Sequence, residues 1–423
     1  LILEILNVFL WLKFSPSLNS ANYPISGQAL LAIFKKRSGF PVTAQWGEKA
    51  ESHQGVMSIL SRFIALHDIW ICFETASIHW LLTMGYAFYL SIIIFYEKSS
   101  TLSGKLIKGD FNMNQIIDIH AHLGDICFPG GGELIEKKGV RKKLLFDTVR
   151  LTELLLYRGV GNINPESVVK MGNWFYRRSF KETMARNLAG TRENFKKSMD
   201  EAGIHFSVSL PIPPYVTFAD LKTAAEKDSS ILPFTGIDFT REYDVEVQLA
   251  EDVKAGARGL KLHPILQGEK LTSKRTFEGV EAFAPHNLPV LMHTGISAYY
   301  PDRSNTLMEQ PSYGDIHYVR DIVKAFPGVS FIIGHGGMLQ KQETMEMLGG
   351  CKNIWVDTSL SSPRVIREYF KVYGPERVLF GSDWPWGNRN PAKRSLKKAC
   401  QGDKSLEKRI FSENAVELMQ LNS

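Results

Sequence analysis

The chain has 423 residues, with 50 Lys and Arg against 44 Asp and Glu, a formal charge of +6. A composition 44% hydrophobic and 22% charged is that of a globular protein and excludes a disordered, collagen-like or small disulfide-stapled chain. The mild basic excess, without a dense Lys/Arg run, gives no electrostatic basis for nucleic acid as a partner. Four scattered cysteines (Cys72, Cys127, Cys351, Cys400) without a Cys-x-x-Cys pair point to a reducing, cytoplasmic setting and no zinc knuckle.

In chain order, residues 1–112 differ from the rest. The first twelve are apolar but lack the basic flank and small-residue cleavage site of a signal peptide. Residues 75–96 contain no Asp, Glu, Lys or Arg, long enough for a candidate membrane helix. Against it stand His79 inside the run and Asp68 and Glu74 before it. The blander expectation is an N-terminal extension of doubtful structure lying upstream of a start at Met113, with membrane attachment as the minor alternative.

From residue 116 onward, short β-branched or apolar runs alternate with amphipathic segments, the pattern of repeated βα units on a parallel sheet. Eight runs can be counted: 116–122, 204–210, 231–237, 259–263, 288–293, 329–335, 354–358 and 378–383. Helices are expected between them, for example at 243–255 and at 363–372, the latter with Ser362 as N-cap and Pro363 in its first turn. The fold class is therefore α/β, a (β/α)8 TIM barrel over 113–423. The stretch 123–203, roughly eighty positions, exceeds any ordinary connection and must carry helices of its own, at 143–157 and beginning at Asn164. It is a helical insertion after strand 1.

Polar residues interrupt these runs at their C-terminal ends. His120 and His122 close the first run, Lys261 and His263 the fourth, His293 the fifth, His335 the sixth and Asp383 the eighth. In a parallel barrel those ends form the face that binds ligands, so residues far apart in sequence converge. Residues two apart on a strand point to the same side, so both imidazoles of His120-Ala121-His122 can reach one ion. Alone, that motif is more often two ordinary histidines. A third histidine and a terminal Asp on other strand ends complete an N/N/N/O set suited to a zinc-like divalent ion with an open position. The remaining six of the 11 histidines (His53, His67, His79, His205, His286, His317) lie elsewhere and read as surface or core.

Together, Ile117-Asp118-Ile119-His120-Ala121-His122, Gly259-Leu260-Lys261-Leu262-His263-Pro264, Val290-Leu291-Met292-His293-Thr294-Gly295, Gly334-His335-Gly336-Gly337 and Phe380-Gly381-Ser382-Asp383-Trp384-Pro385-Trp386 resemble the amidohydrolase superfamily. Within it they are similar to the amidohydrolase-2 branch, which also holds the aminocarboxymuconate-semialdehyde decarboxylase type. The likeness runs from about Met113 to the end; residues 1–112 have no counterpart in it. The resemblance implies His120, His122 and His293 as ligands of Zn2+ or another divalent ion, Asp383 as ligand or as base beside the activated water, and His335 as acid/base or oxyanion group. In some relatives a fourth-strand lysine is carboxylated and bridges two metals. One metal per chain is the favoured expectation here, with Lys261 and His263 lining the substrate pocket, Lys261 as counter-charge for a substrate carboxylate or as half of a structural ion pair.

Loops at the same face would choose the substrate. Residues 124–132 are glycine-rich enough for a lid. Within 174–178, Trp174-Phe175-Tyr176-Arg177-Arg178, Arg178 is a candidate carboxylate clamp, with a solvent-exposed helix as the plainer reading. The expected activity is metal-dependent hydrolysis of an amide, ester, lactone or similar carbonyl in a small molecule. Its rival is non-oxidative decarboxylation of an unsaturated or aromatic acid, with Arg178 and His335 in the required roles. A membrane-attached, non-catalytic binding protein is the third reading, and a homo-oligomer is compatible with all three.

Overall fold

The computed structural model describes residues 115–140, 157, 185–297, 299–300 and 309–421. The extension 1–112 with its candidate span 75–96, the segment 174–178 with Arg178, and almost all of the helices expected at 143–157 and from Asn164 lie outside the described residues. Among those described, no helix is long and apolar enough to cross a membrane.

The expected runs become strands, all parallel: β1 (Ile117–Ala121), β2 (Phe206–Ser209), β3 (Ile231–Pro233), β4 (Thr235–Gly236), β5 (Leu260–Leu262), β6 (Val290–Met292), β7 (Phe331–Ile333), β8 (Ile354–Asp357) and β9 (Val378–Leu379). They pair in chain order as β1-β2-β3 and β4-β5-β6-β7-β8-β9. The third run, expected as one strand over 231–237, is split at Phe234 because its two halves serve different neighbours. Phe234 N donates back to Ser209 O at 3.1 Å, and Thr235 N donates forward to Gly259 O at 2.8 Å. The other seam closes through the segment after β9: Ile119 N donates to Phe380 O at 2.9 Å, Asp383 N to His120 O at 2.7 Å and His122 N to Trp384 O at 2.7 Å. Eight staves thus make a (β/α)8 TIM barrel.

Ile117, Ile119, Val208, Leu210, Leu232, Phe234, Leu291, Ile332 and Leu379 form one buried cluster. Side chains from so many strands can meet only inside the barrel. The chain's last helix, Asn414–Leu418, brings Ala415 and Val416 into the same cluster, followed by Met419 and Leu421. A second, larger cluster packs the outer faces of the strands against the surrounding helices.

Helix boundaries follow from capping. The helix Val245–Lys254, expected over 243–255, starts where Asp244 accepts from Val247 N. The helix Pro363–Tyr373 starts where Ser362 accepts from Val365 N at 3.3 Å, with Pro363 in the first turn as the sequence suggested. Of the long insertion, the described parts include a short 3-10 turn, Gly131–Leu134, and the helix Arg192–Ala202, capped by Thr191 and closed by Gly203 at φ 62°.

Candidate metal centre

Strand β1 solves a geometric problem. Ile117 and Ile119 face the barrel interior, whereas Asp118 faces outward, where Arg389 Nη1 meets its Oδ2 at 2.6 Å. Strict alternation would send His120 outward too. Register with β2 shifts between Asp118 and Ala121, three residues opposing two, and this bulge turns His120 and His122 inward at the strand tip. Asp118 also accepts from His120 N at 3.2 Å and from Ser382 N at 2.9 Å, so one buried carboxylate ties the first-strand histidines to the turn that carries Asp383.

Asp383 and His335 both sit in the left-handed region, at φ 60° and 57°. For residues with a β-carbon that is a strained placement, typical of groups held for function. Gly334 leaves room for the fold-back: a β-carbon there would lie 2.5 Å from Met292 O and 3.3 Å from the His120 ring.

Neighbouring acceptors decide where the imidazole protons lie. His120 Nδ1 donates to Asp357 Oδ2 at 2.8 Å, and His122 Nδ1 donates to Leu210 O at 3.0 Å, since both partners can only accept. Ser359 Oγ gives its proton to Asp357, so it accepts from His335 Nδ1 at 2.8 Å. All three rings therefore turn an Nε2 lone pair away from their supports. They stay neutral: burial holds His120 and His335 well below the usual histidine range and takes His122 to about 3, with the neighbouring Lys261 charge pushing all three the same way.

His120 Nε2 is buried with no hydrogen-bond partner among the described residues. It lies 3.7 Å from Asp383 Oδ1, and His122 Nε2 lies 3.7 Å from the same oxygen. Ligand atoms around a tetrahedral Zn2+ with bonds of ~2.0–2.2 Å stand roughly 3.4 Å apart. Two imidazole lone pairs and a carboxylate oxygen at these separations fit a divalent ion, and the Asp357–His120 bond is the kind of support that orients a metal-ligating imidazole.

His293 shares the chamber. Its ring stacks on His263 at 4.2 Å and lies 5.1 Å from that of His335. Its Nε2, however, is engaged by Ser297 Oγ at 3.1 Å, and neither group of described residues whose ligand atoms all lie within 4.8 Å of one another, His120, His122 and Asp383 or His120, His335 and Asp357, contains it. His263 caps the short helix Pro264–Gln267 by accepting from Leu266 N at 3.2 Å through Nδ1, so its proton is on Nε2. Lys261 is 1% exposed, and its ammonium has no hydrogen-bond partner among the described residues. Burial lowers its pKa to about 7, opposed by Asp383 and Asp357.

Sequence reasoning did not single out Asp357, Ser359, Tyr299 or Lys341. Asp357 closes the seventh run by the same strand-end rule that found the others, so a signal was present. Lys341 gave none: it reaches back from the first turn of its helix to hold His335 O at 2.9 Å and Leu360 O at 3.1 Å.

A family model described as amidohydrolase matches residues 193–421, over half of the chain. The chain belongs to the amidohydrolase family. Its members are metal-dependent hydrolases and decarboxylases. The matched span leaves out β1, which the barrel nonetheless places between β2 and the segment after β9. No curated protein matches this amidohydrolase. Similar solved structures include an uncharacterised TIM-barrel protein from Bordetella bronchiseptica (17% identity, 73% of this chain and 99% of that one, TM-score 0.49). Others are a manganese-bound 5-carboxyvanillate decarboxylase from Novosphingobium aromaticivorans (16%, 74% and 98%, 0.48) and a probable 2-pyrone-4,6-dicarboxylic acid hydrolase from Acinetobacter baumannii (14%, 72% and 99%, 0.43).

Proposed function

We propose that this amidohydrolase is a metal-dependent hydrolase acting on an amide, ester, lactone or similar carbonyl of a small organic molecule. One observation carries the reading: the buried Nε2 of His120, with no hydrogen-bond partner among the described residues, and the Nε2 of His122 stand at equal distance from one oxygen of Asp383. These three residues would hold one Zn2+ per chain, with His293 as a further ligand once its Nε2 exchanges Ser297 for the ion. When bound, such an ion acidifies water from a pKa of 15.7 to about 7 and polarises a carbonyl.

The chain's own residues supply the rest. Asp383 takes the proton of the attacking water and returns it to the leaving group. His335, with its Nδ1 proton committed to Ser359, offers Nε2 as a second proton acceptor beside the His120 ring, 4.5 Å away between centroids. Lys261 meets an anionic group of the substrate. Cys127, Cys351 and Cys400 are free thiols, as a reducing cytoplasm would keep them.

Decarboxylation stands as the second reading, on the strength of Lys261: a buried ammonium without a partner is a ready counter-charge for a carboxylate. Mass spectrometry of candidate acids and esters after incubation with the ion-loaded protein tests both readings. Addition of water supports the first, and loss of CO2 the second. Full turnover by a protein stripped of divalent ions overturns both.

A further inference from the structure

Attack on a carbonyl places negative charge on its oxygen, and a site that accelerates the step needs a hydrogen-bond donor there. The imidazoles do not provide one. The N–H groups of His120, His122 and His335 are committed to Asp357, Leu210 O and Ser359, that of His293 to the Gly295 backbone, and that of His263 is turned toward Tyr299.

Tyr299 follows His293 on the loop after β6. Its hydroxyl lies 3.2 Å from His263 Nε2 and 3.4 Å from His293 Nε2. Because Leu266 N occupies His263 Nδ1, His263 donates through Nε2 and the tyrosine oxygen accepts. The hydroxyl proton is thereby directed away from His263 toward His293 Nε2, the acceptor that a divalent ion held by His293 would replace. The ring is 8% exposed and meets His263, His293 and Trp386 edge to face, with centroids 5.3, 6.0 and 6.0 Å away, while its backbone N–H donates to Glu309. A hydroxyl that accepts one hydrogen bond becomes a better donor of the next.

We propose that Tyr299 is a catalytic residue that donates a hydrogen bond to the substrate oxygen on which charge develops. Tyr299 transfers no proton: the water oxygen bonds to the carbonyl carbon as Asp383 takes its proton, the π pair moves onto the carbonyl oxygen, and the Tyr299 hydroxyl meets that oxygen. The inference rests on the hydrolytic reading above and deepens it, since the favoured substrate then presents its carbonyl oxygen on the His263–Tyr299 side of the chamber.

The test is calorimetric binding of methylphosphonate, a tetrahedral anion, to the zinc-loaded 423-residue chain and its Tyr299→Phe variant. Phe keeps the ring packing and removes only the hydroxyl. The expected result is binding about 10- to 100-fold weaker in the variant, the range for losing one hydrogen bond to a charged group, at unchanged zinc content. Ser297→Ala removes the other hydroxyl on His293 Nε2 and should leave the affinity within about twofold. Equal loss in both variants would show that Tyr299 acts only by orienting His293 and would overturn the proposal, as would equal affinity of Tyr299→Phe and the unaltered protein, or no binding by the zinc-loaded unaltered protein.

Should the Phe variant fail to fold, the unaltered protein labelled at tyrosine Cζ gives the second measurement. One tyrosine resonance must shift on adding methylphosphonate, and a spectrum without any shift overturns the inference. Failure of the hydrolytic reading looks different: the ion-loaded protein would add no water to any candidate amide, ester or lactone, whatever its affinity for methylphosphonate.

Discussion

Asp357 holds His120 from behind: its Oδ2 accepts the Nδ1 proton at 2.8 Å, which leaves the Nε2 lone pair facing Asp383 across 3.7 Å. The same carboxylate accepts from His335 N at 3.1 Å and from Ser359 N at 2.8 Å, so one side chain from β8 sets two imidazoles and the turn between them. Asp357→Asn is expected to weaken divalent-ion binding about 10- to 100-fold, the usual effect of losing such support. Competition with a chelator measures it, and unchanged affinity would show that Asp357 is not what orients His120.

Asp383→Asn isolates the chemistry from the backbone, because asparagine tolerates the left-handed conformation that Asp383 adopts. Turnover should fall by about 10²- to 10⁴-fold, the range for removing a proton-transfer group, while circular dichroism stays unchanged. A variant with ordinary turnover would remove Asp383 from the mechanism.

Lys261→Met should trade activity for stability. A buried ammonium without a partner costs the folded state, and replacing it with an apolar chain of similar length should stabilise the protein by about 1–3 kcal/mol. Turnover of carboxylate-bearing substrates should drop with the bound divalent ion retained. Loss of two metal equivalents on this change would instead indicate a bridging, carboxylated lysine.

Acid should destabilise the metal-free protein through its buried imidazoles. For His122 the folded pKa is about 3 against 6.5 for the free side chain, so between those values the unfolded chain binds more protons. Stability is full above pH 6.5 and is lost as pH falls toward 3, by about 1.4 kcal/mol per pH unit for this group. Denaturant midpoints across that window provide the measurement, and His122→Gln should flatten the slope.

Asp118 and Arg389 form a buried pair at 2.6 Å, with burial lowering the Arg389 pKa to about 10 against the pull of Asp118. Removing one partner strands the other. Arg389→Met should destabilise the fold by about 3–5 kcal/mol, and thermal unfolding that leaves the transition unmoved would refute it.

Strand positions and the barrel class were legible in the sequence because β-branched or apolar runs of five to seven residues, six of the eight ending in a polar residue, carry a local period. The strand-end rule found His120, His122, Lys261, His263, His293, His335 and Asp383 for the same reason. It could not show that His120 faces the interior, since a bulge breaks the alternation that Ile117 and Ile119 establish. Nor could it assign protons. That Asp357 and Leu210 O turn the Nε2 atoms of His120 and His122 toward one carboxylate, or that Leu266 N sets the proton of His263 and so the donor direction of Tyr299, depends on partners up to 237 positions away. Periodicity is a property of neighbours along the chain; tautomer, ligand orientation and register come from contacts across the barrel, which exist only once the eight staves have closed.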